Sequence, residues 1–381
     1  MANDSKPRRV ALVLQGGGAL GAYQAGVYEG LVGHGCAPDW IAGTSIGAIN
    51  GALIAGNTAE DQVPRLQEFW KLVSDAGLRT SPWPSGPLRQ ILSAWSIWKA
   101  ITLGRPGFFA PRWFDPSVFF PVRSCQTASF YETAPLRATL ERLVDFDLLN
   151  EGPIRLTVGA VNVAAGKLRY FDTKTDRLGP EHILASGALP PGLPAVRVDG
   201  ELYWDGGIYS NTPLDVVLED VPRVNTLCLM LSLFNPAGVE PRSISEVETR
   251  RKDITYATRI REHVAAYRRI ENLRRTIRSL YALLPEDVKE NPEVREWASL
   301  GCETTMHIVE LLYPTRDWEL AFKDADFSQA ALEERWKLGL RDASLLGERR
   351  PWEDPVRPGT GVVVHTVESP ADLESRDLAF R

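Results

Sequence analysis

A chain of 381 residues with an apolar fraction of 44% is long enough for one large domain, or a core domain with an extension, and buries a sizeable core without difficulty. Its net charge of −6 argues against a general nucleic-acid binder. Four scattered cysteines (Cys36, Cys125, Cys228, Cys302) form no C-x-x-C pair, so they suggest neither a zinc site nor a disulfide framework and read as a reducing compartment.

Met1 to Arg9 is polar and basic, and the apolar run Val10 to Leu14 is too short for a signal-peptide core. No apolar stretch approaches the length of a membrane span, so the expectation is a cytoplasmic protein whose membrane contact, if any, is peripheral. Val10 to Leu14 has the continuous apolar character of a buried parallel strand. It runs into Gln15-Gly16-Gly17-Gly18-Ala19-Leu20-Gly21, and a helical pattern follows from about Ala22 to Val32. Gly16, Gly18 and Gly21 fit G-x-G-x-x-G, but a dinucleotide site also needs an acidic residue ending the next strand. That strand ends in Gly43-Thr44-Ser45, with Asp39 at its beginning, so the nucleotide reading fails at its discriminating position. Two readings of the glycines remain: backbone N–H groups that face a developing anion, or a turn with no chemistry.

Trp40 to Ala42 ends a second short strand, Gly43-Thr44-Ser45-Ile46-Gly47 follows, and Ala48 to Ala55 has the small apolar residues of a helix. Strand, Gly-x-Ser-x-Gly and helix in this order are the context of a nucleophile elbow, in which a tight turn lifts the serine hydroxyl to a helix N-terminus. A chain of this length would hold about 0.1 such pentapeptides by chance, so the flanking elements carry much of the weight. After a helical stretch with Leu66, Phe69 and Trp70, residues 81–131 become rich in Trp, Phe and Pro, and Leu88 to Ile101 reads as one amphipathic helix. That segment is either packed into the core or forms an apolar lid over an acyl groove.

Ile154 to Val163 and Lys167 to Phe171 read as a strand pair, and Glu181 to Ser186 as a short helix entering a turn-rich loop. Glu201 to Asp205 is a strand that closes on Asp205-Gly206-Gly207, and Thr212-Pro213 reads as the cap and first position of a helix through Leu218. An aspartate before glycine is commonly a turn residue, while a carboxylate at a strand end is also the base that a serine nucleophile needs. Asn225 to Phe234 is another buried strand, and the alternation of strands and helices gives an α/β layer with a largely parallel sheet. Ser243 to Leu284 is a long arginine-rich helix, whose basic face is either solvated or turned to anionic lipid. His307 to Tyr313 reads as a strand, Ser328 as the cap of a helix to about Ala343, and the chain from Arg350 as a poorly ordered tail.

Three blocks thus stand in order, Gln15 to Tyr23, Gly43 to Gly51 and Asp205 to Gly207, with Ala185-Ser186-Gly187-Ala188-Leu189-Pro190 as a fourth. Together they resemble the patatin-like phospholipase family over roughly residues 8 to 235. The resemblance implies a three-layer α/β fold with a mainly parallel central sheet, and a catalytic Ser–Asp dyad without histidine, metal or cofactor. Carried onto this sequence, it makes Ser45 the nucleophile and Asp205 the general base. Gly16, Gly17 and Gly18 would form the oxyanion hole with the N–H of Ile46. The expected organisation is an acyl-hydrolase domain over 1–238 with the aromatic insertion at 81–131, a mostly helical extension over 239–350 and a tail over 351–381.

The expected activity is hydrolysis of phospholipid or lysophospholipid acyl esters. A thioester, an intracellular polyester or a non-catalytic lipid- or acyl-binding module on the same fold are the other readings, and an acyltransferase using the same serine is a weaker one. The five histidines (His34, His182, His263, His307, His365) stand beside none of the motifs, although members of a triad need not be close in sequence.

Overall fold

The computed structural model of the chain describes residues 9–75, 87–112, 125–238, 240–314, 319, 322–356 and 360–367. Trp83, Trp113, Phe114, Phe119 and Phe120 of the aromatic segment lie outside these residues, as does the chain beyond Val367. Its strands are β1 (Arg9–Leu14), β2 (Trp40–Thr44), β3 (Ala110–Pro111), β4 (Tyr131–Glu132), β5 (Arg155–Asn162), β6 (Leu168–Asp172), β7 (Val196–Val198), β8 (Glu201–Asp205), β9 (Thr226–Ser232), β10 (Met306–Leu312) and β11 (Val362–Val367). Its helices are α1 (Gly21–Gly33), α2 (Ile46–Ala55), α3 (Gln62–Val73), α4 (Pro87–Leu103), α5 (Ala134–Leu143), α6 (Phe146–Glu151), α7 (Pro180–Ser186), α8 (Leu214–Leu218), α9 (Ile244–Ala282), α10 (Glu286–Lys289), α11 (Pro292–Ser299) and α12 (Gln329–Arg349).

Among the described residues nine strands form one sheet in the order β11-β10-β9-β1-β2-β5-β8-β7, with β6 on the other edge of β5. From β11 to β5 every neighbour is parallel, and β6, β7 and β8 are antiparallel additions around β5. The central strands β2, β5 and β9 bury both faces, as continuous apolar runs in a parallel sheet require. Leu12, Leu14, Leu229 and Val309 point into a core with α1, α2, α3 and α12. Ala11, Val13, Cys228, Met230 and Ile308 point to the other side, against Leu214 and Val217 of α8 and Tyr267 of α9. This is the three-layer α/β fold expected from the sequence.

On the first face α1 and α12 approach closely. A Cβ on Gly26 would stand 2.0 Å from the Trp336 carbonyl oxygen, and one on Gly339 would stand 2.1 Å from that of Tyr23. Any larger residue at either position would push the helices apart and open voids in the core. In α9, Ser243 caps the first turn by accepting the N–H of Glu246, and most residues from Glu262 onward are exposed.

Several local expectations change. The helix after Thr212-Pro213 starts at Leu214 with Pro213 at the cap position, and the Thr212 hydroxyl is buried without a hydrogen-bond partner. Ser328 stands at the N-terminus of α12 but makes no capping bond, and the helix runs on to Arg349. Val362–Val367, expected within a poorly ordered tail, pairs in parallel with β10 along six residues. The β-branched run Val362 to Val364 explains that pairing better than the proline-rich composition around it does. The short strand β7 had no separate signal in the sequence.

Candidate active site

The register on β5 brings Ser45 and Asp205 together. β2 pairs with β5 up to Thr44 opposite Gly159, and β8 takes over the same edge with Asp205 opposite Ala160. Ser45, the residue after Thr44, is therefore set beside the last residue of β8. Gly206 makes this approach feasible, because a Cβ there would stand 2.5 Å from the Gly159 carbonyl oxygen.

Ser45 lies between β2 and α2 at φ 56° and ψ −122°, a conformation that an L-residue adopts at a cost of about 1–3 kcal/mol. The surroundings hold it there. Its N–H donates to Ser186 Oγ at 3.0 Å, and that hydroxyl donates to Gly159 O at 2.7 Å. Gly47 packs against β1 so tightly that a Cβ would stand 2.3 Å from Leu14 O, which accounts for the second glycine of the motif.

Asp205 is buried at 3% exposure. Burial pushes its carboxyl up to about 6, against the lowering effect of the Gly207 N–H bond and of the nearby Ser45 hydroxyl. The Gly207 N–H bond, at 2.7 Å, is the local turn contact that an Asp-Gly pair commonly makes. The carboxylate that makes this turn bond is also the one set beside Ser45.

The glycine loop faces the same point but is not uniform. Gly16 N–H donates to Asn211 O at 3.0 Å, and Asn211 Nδ2 returns a bond to Gly16 O at 2.9 Å. The Gly16 N–H is therefore already used, which removes it from the expected set of open donors. Among the described residues the N–H groups of Gly17, Gly18 and Ile46 have no acceptor. Gly18 has φ 53°, and a Cβ on it would stand 2.3 Å from Asp324 O.

A buried polar lattice fixes this loop to the rest of the site. Gln15 Oε1 accepts from Leu233 N at 2.5 Å and Phe234 N at 3.3 Å, and Gln24 Nε2 donates to Gln15 O at 2.7 Å. Asn50 on α2 donates to Gly21 O at 3.0 Å and to Gln24 Oε1 at 3.1 Å, and accepts from Trp70 Nε1 at 3.1 Å. None of Gln15, Gln24, Asn50, Ser186 or Asn211 was singled out from the sequence. Ser186 lies inside a quoted block, and Gln15 and Asn50 lie at the edges of two others. Asn211 has no local signal, since its contact with Gly16 crosses 195 positions.

Ser45 and Asp205 open into a cavity of about 270 Å³ with apolar lining from Ile49, Ile101, Phe109, Leu136 and Leu193. No histidine lines it. His34 Nδ1 meets Gly30 O at 2.8 Å, His182 Nδ1 accepts from Gly179 N at 2.9 Å, and His263 is exposed on α9. His307 and His365 stack across β10 and β11, with Nδ1 and Nε2 at 3.1 Å. Burial, and then the neighbouring His365, pushes His307 down to about 4.

Helix α4 borders the cavity through Ala100 and Ile101, and its amphipathicity is inverted. It buries Ser93, Ser96, Ile97 and Ala100 and exposes Leu88, Ile91, Trp95 and Trp98. The inner side is held by polar contacts: Ser93 donates to Asp326 Oδ2 at 2.6 Å, and Lys99 Nζ lies 2.7 Å from Asp75 Oδ2. Trp95 and Trp98 stack on each other at 4.8 Å rather than on the core. Among the described residues no helix is long and apolar enough to cross a membrane, and no cluster of three His, Cys, Asp or Glu residues suits a metal ion.

A family model described as Patatin-like phospholipase matches residues 12–218, and a second, described as Patatin phospholipase, matches residues 254–359. Lysophospholipase nte1 of Aspergillus terreus is 40% identical over 89 residues, which cover 21% of this chain and 6% of that protein. The chain therefore matches a small part of that relative's length. Among solved structures, VipD from Legionella pneumophila aligns over 90% of this chain and 67% of its own, at 15% identity and a TM-score of 0.39.

Proposed function

The chain belongs to the patatin-like phospholipase family, and on that premise we propose that it is a serine hydrolase cleaving the acyl ester of a phospholipid or lysophospholipid. The observation that carries this reading is a strained serine set beside a buried carboxylate at an apolar cavity, with three backbone donors left open next to it among the described residues. A carboxyl with a pKa of about 6 is mostly ionised at pH 7, yet basic enough to take a proton as the transition state forms.

In the first half-reaction Ser45 Oγ attacks the ester carbonyl carbon and its proton passes to Asp205. The carbonyl oxygen gains the negative charge and faces the N–H groups of Gly17, Gly18 and Ile46. Collapse breaks the bond to the alcohol oxygen, and the leaving alcohol takes the proton from Asp205. Water then attacks the acyl-serine, Asp205 accepts its proton and returns it to Ser45, and the fatty acid leaves. The apolar lining suits the acyl chain, because each methylene removed from water contributes about 0.8 kcal/mol.

A fluorophosphonate probe tests the reading. It should label the wild-type chain on Ser45 with loss of esterase activity, and Ser45→Ala should take no label. A folded wild-type chain that is not labelled, and that cleaves neither a lysophospholipid nor a p-nitrophenyl ester, would make it a binding module instead.

A further inference from the structure

The cavity is not lined by the segment of residues 12–218 alone. Tyr256, Asp324, Ala325 and Phe327 also border it, and all four lie within residues 254–359. Two contacts couple these residues to the nucleophile side. Asp324 O sits against Gly18, and Tyr256 O accepts a hydrogen bond from Gln15 Nε2 at 3.2 Å. Arg335, itself buried, joins the two sides by donating to Ala19 O at 3.4 Å, Asp326 O at 2.9 Å and Lys323 O at 3.0 Å.

Tyr256 differs from three other tyrosines that lie at least half-buried. Tyr23 donates to Asp342, Tyr170 to Asp215 and Tyr313 to Glu319. The Tyr256 hydroxyl has no hydrogen-bond partner among the described residues, although its ring is packed on Phe234 with centroids 4.9 Å apart. A half-buried phenol held by its ring, with its donor free at a cavity, is a donor kept for something that enters the cavity.

We propose that Tyr256 donates a hydrogen bond to an oxygen of the alcohol half of the bound substrate, a glycerol hydroxyl or a phosphate oxygen, and so makes residues 254–359 the alcohol-side wall of the site. This rests on the esterase reading above. The placement follows from partition: the acyl chain takes the lining of Ile49, Ile101, Phe109 and Leu136, leaving the polar lining of Asn211, Tyr256 and Asp324 for the alcohol. Burial, and then the charges of Asp324 and Asp205, hold the phenol above its ordinary pKa, so it stays a donor throughout the neutral range. Lys252 Nζ lies 2.8 Å from Asp324 Oδ1 and offsets that charge, which removes a repulsion that a phosphate would otherwise meet.

The experiment compares Tyr256→Phe with wild type on two substrates that share one acyl chain, a lysophospholipid and a p-nitrophenyl ester. The second has no hydroxyl or phosphate on its alcohol half. The variant should lose about fivefold more in kcat/KM on the lysophospholipid than on the p-nitrophenyl ester, the worth of one neutral hydrogen bond. Its melting temperature should stay close to wild type, since no protein partner is lost. Equal losses on both substrates, no loss on either, or a wild type that cleaves only the p-nitrophenyl ester would each overturn the proposal. Ser45→Ala run alongside separates the two levels. If wild-type cleavage of both esters survives that change, the esterase reading itself fails and takes this inference with it.

Discussion

At the floor of the cavity Ser45, Asp205 and the glycine loop are held by backbone hydrogen bonds and by glycine contacts too close for any side chain. At its rim α4 does the reverse, turning Ser93 and Ser96 inward and Leu88, Ile91, Trp95 and Trp98 outward. The floor spends stability on geometry: a positive-φ serine and a buried carboxylate both cost free energy that the surrounding lattice offsets. The rim forgoes burial of large side chains, each of which would contribute about 1.5–3 kcal/mol if covered. Changes at the floor should therefore act on the chemical step whatever the substrate, and changes at the rim only on substrates that reach it.

The largest effect is expected at the floor. Ser45→Ala and Asp205→Asn should each reduce kcat by at least about 10⁴-fold, and the double variant should be hardly worse than either, as the proposed dyad requires of two residues acting as a unit. Additive losses measured across this cycle would break that claim. Asp205→Asn should also separate activity from stability. The folded protein holds the Asp205 proton up to about pH 6, whereas an unfolded aspartate releases it near 3.9, so Asp205 lowers stability as pH rises through that interval. The asparagine variant should be more stable than wild type at pH 8, by on the order of 3 kcal/mol, and the gain should vanish below about pH 4. Melting curves at the two pH values check it.

Next comes the glycine loop. Gly18→Ala introduces a Cβ against Asp324 O and a strained φ, and should cut kcat by about 10²–10³ while changing KM less. A variant that raised only KM would turn the loop into a binding element. Ser186→Ala, which removes the acceptor of the Ser45 N–H, should cost about 1–3 kcal/mol of stability and lower kcat on all esters alike.

The rim should give the smallest and most selective effect. Replacing Trp95 and Trp98 by alanine should lower hydrolysis of long-chain, aggregated substrate by about three- to tenfold, with little change on a soluble short-chain ester or in melting temperature. Equal losses on both substrates with a large fall in melting temperature would mean that α4 is a structural element and not a contact surface.

How much of this was legible follows the same division. The elbow could be read because its requirements are local: Gly47 must clear β1 and Ser45 must begin α2, and both show as spacing within five residues. The partnership with Asp205 needed the shared edge of β5, a pairing between segments more than a hundred residues apart, and the strand-end position of Asp205 and the family resemblance pointed to it without giving that geometry. Gly16 looked like an open donor because nothing nearby announces the Asn211 carbonyl that occupies it. For α4 the period of the helix was plain, but a period does not say which face is inward. Asp75 and Asp326, from distant parts of the chain, decide that by pairing with Lys99 and Ser93. The strand Val362–Val367 shows a local pattern being outweighed by composition: its β-branched run was visible, and the surrounding proline and charge concealed it.

The central claim is that Asp205 is the base for Ser45, and the pH dependence of kcat/KM on a neutral, soluble ester tests it most directly. The rate should fall tenfold per pH unit below a single midpoint near 6, where the buried carboxyl takes up its proton, and level off above it. The limb should be unmoved when any one of the five histidines is replaced by alanine. Full activity retained at pH 4, or a limb that disappears on replacing one histidine, would contradict the dyad.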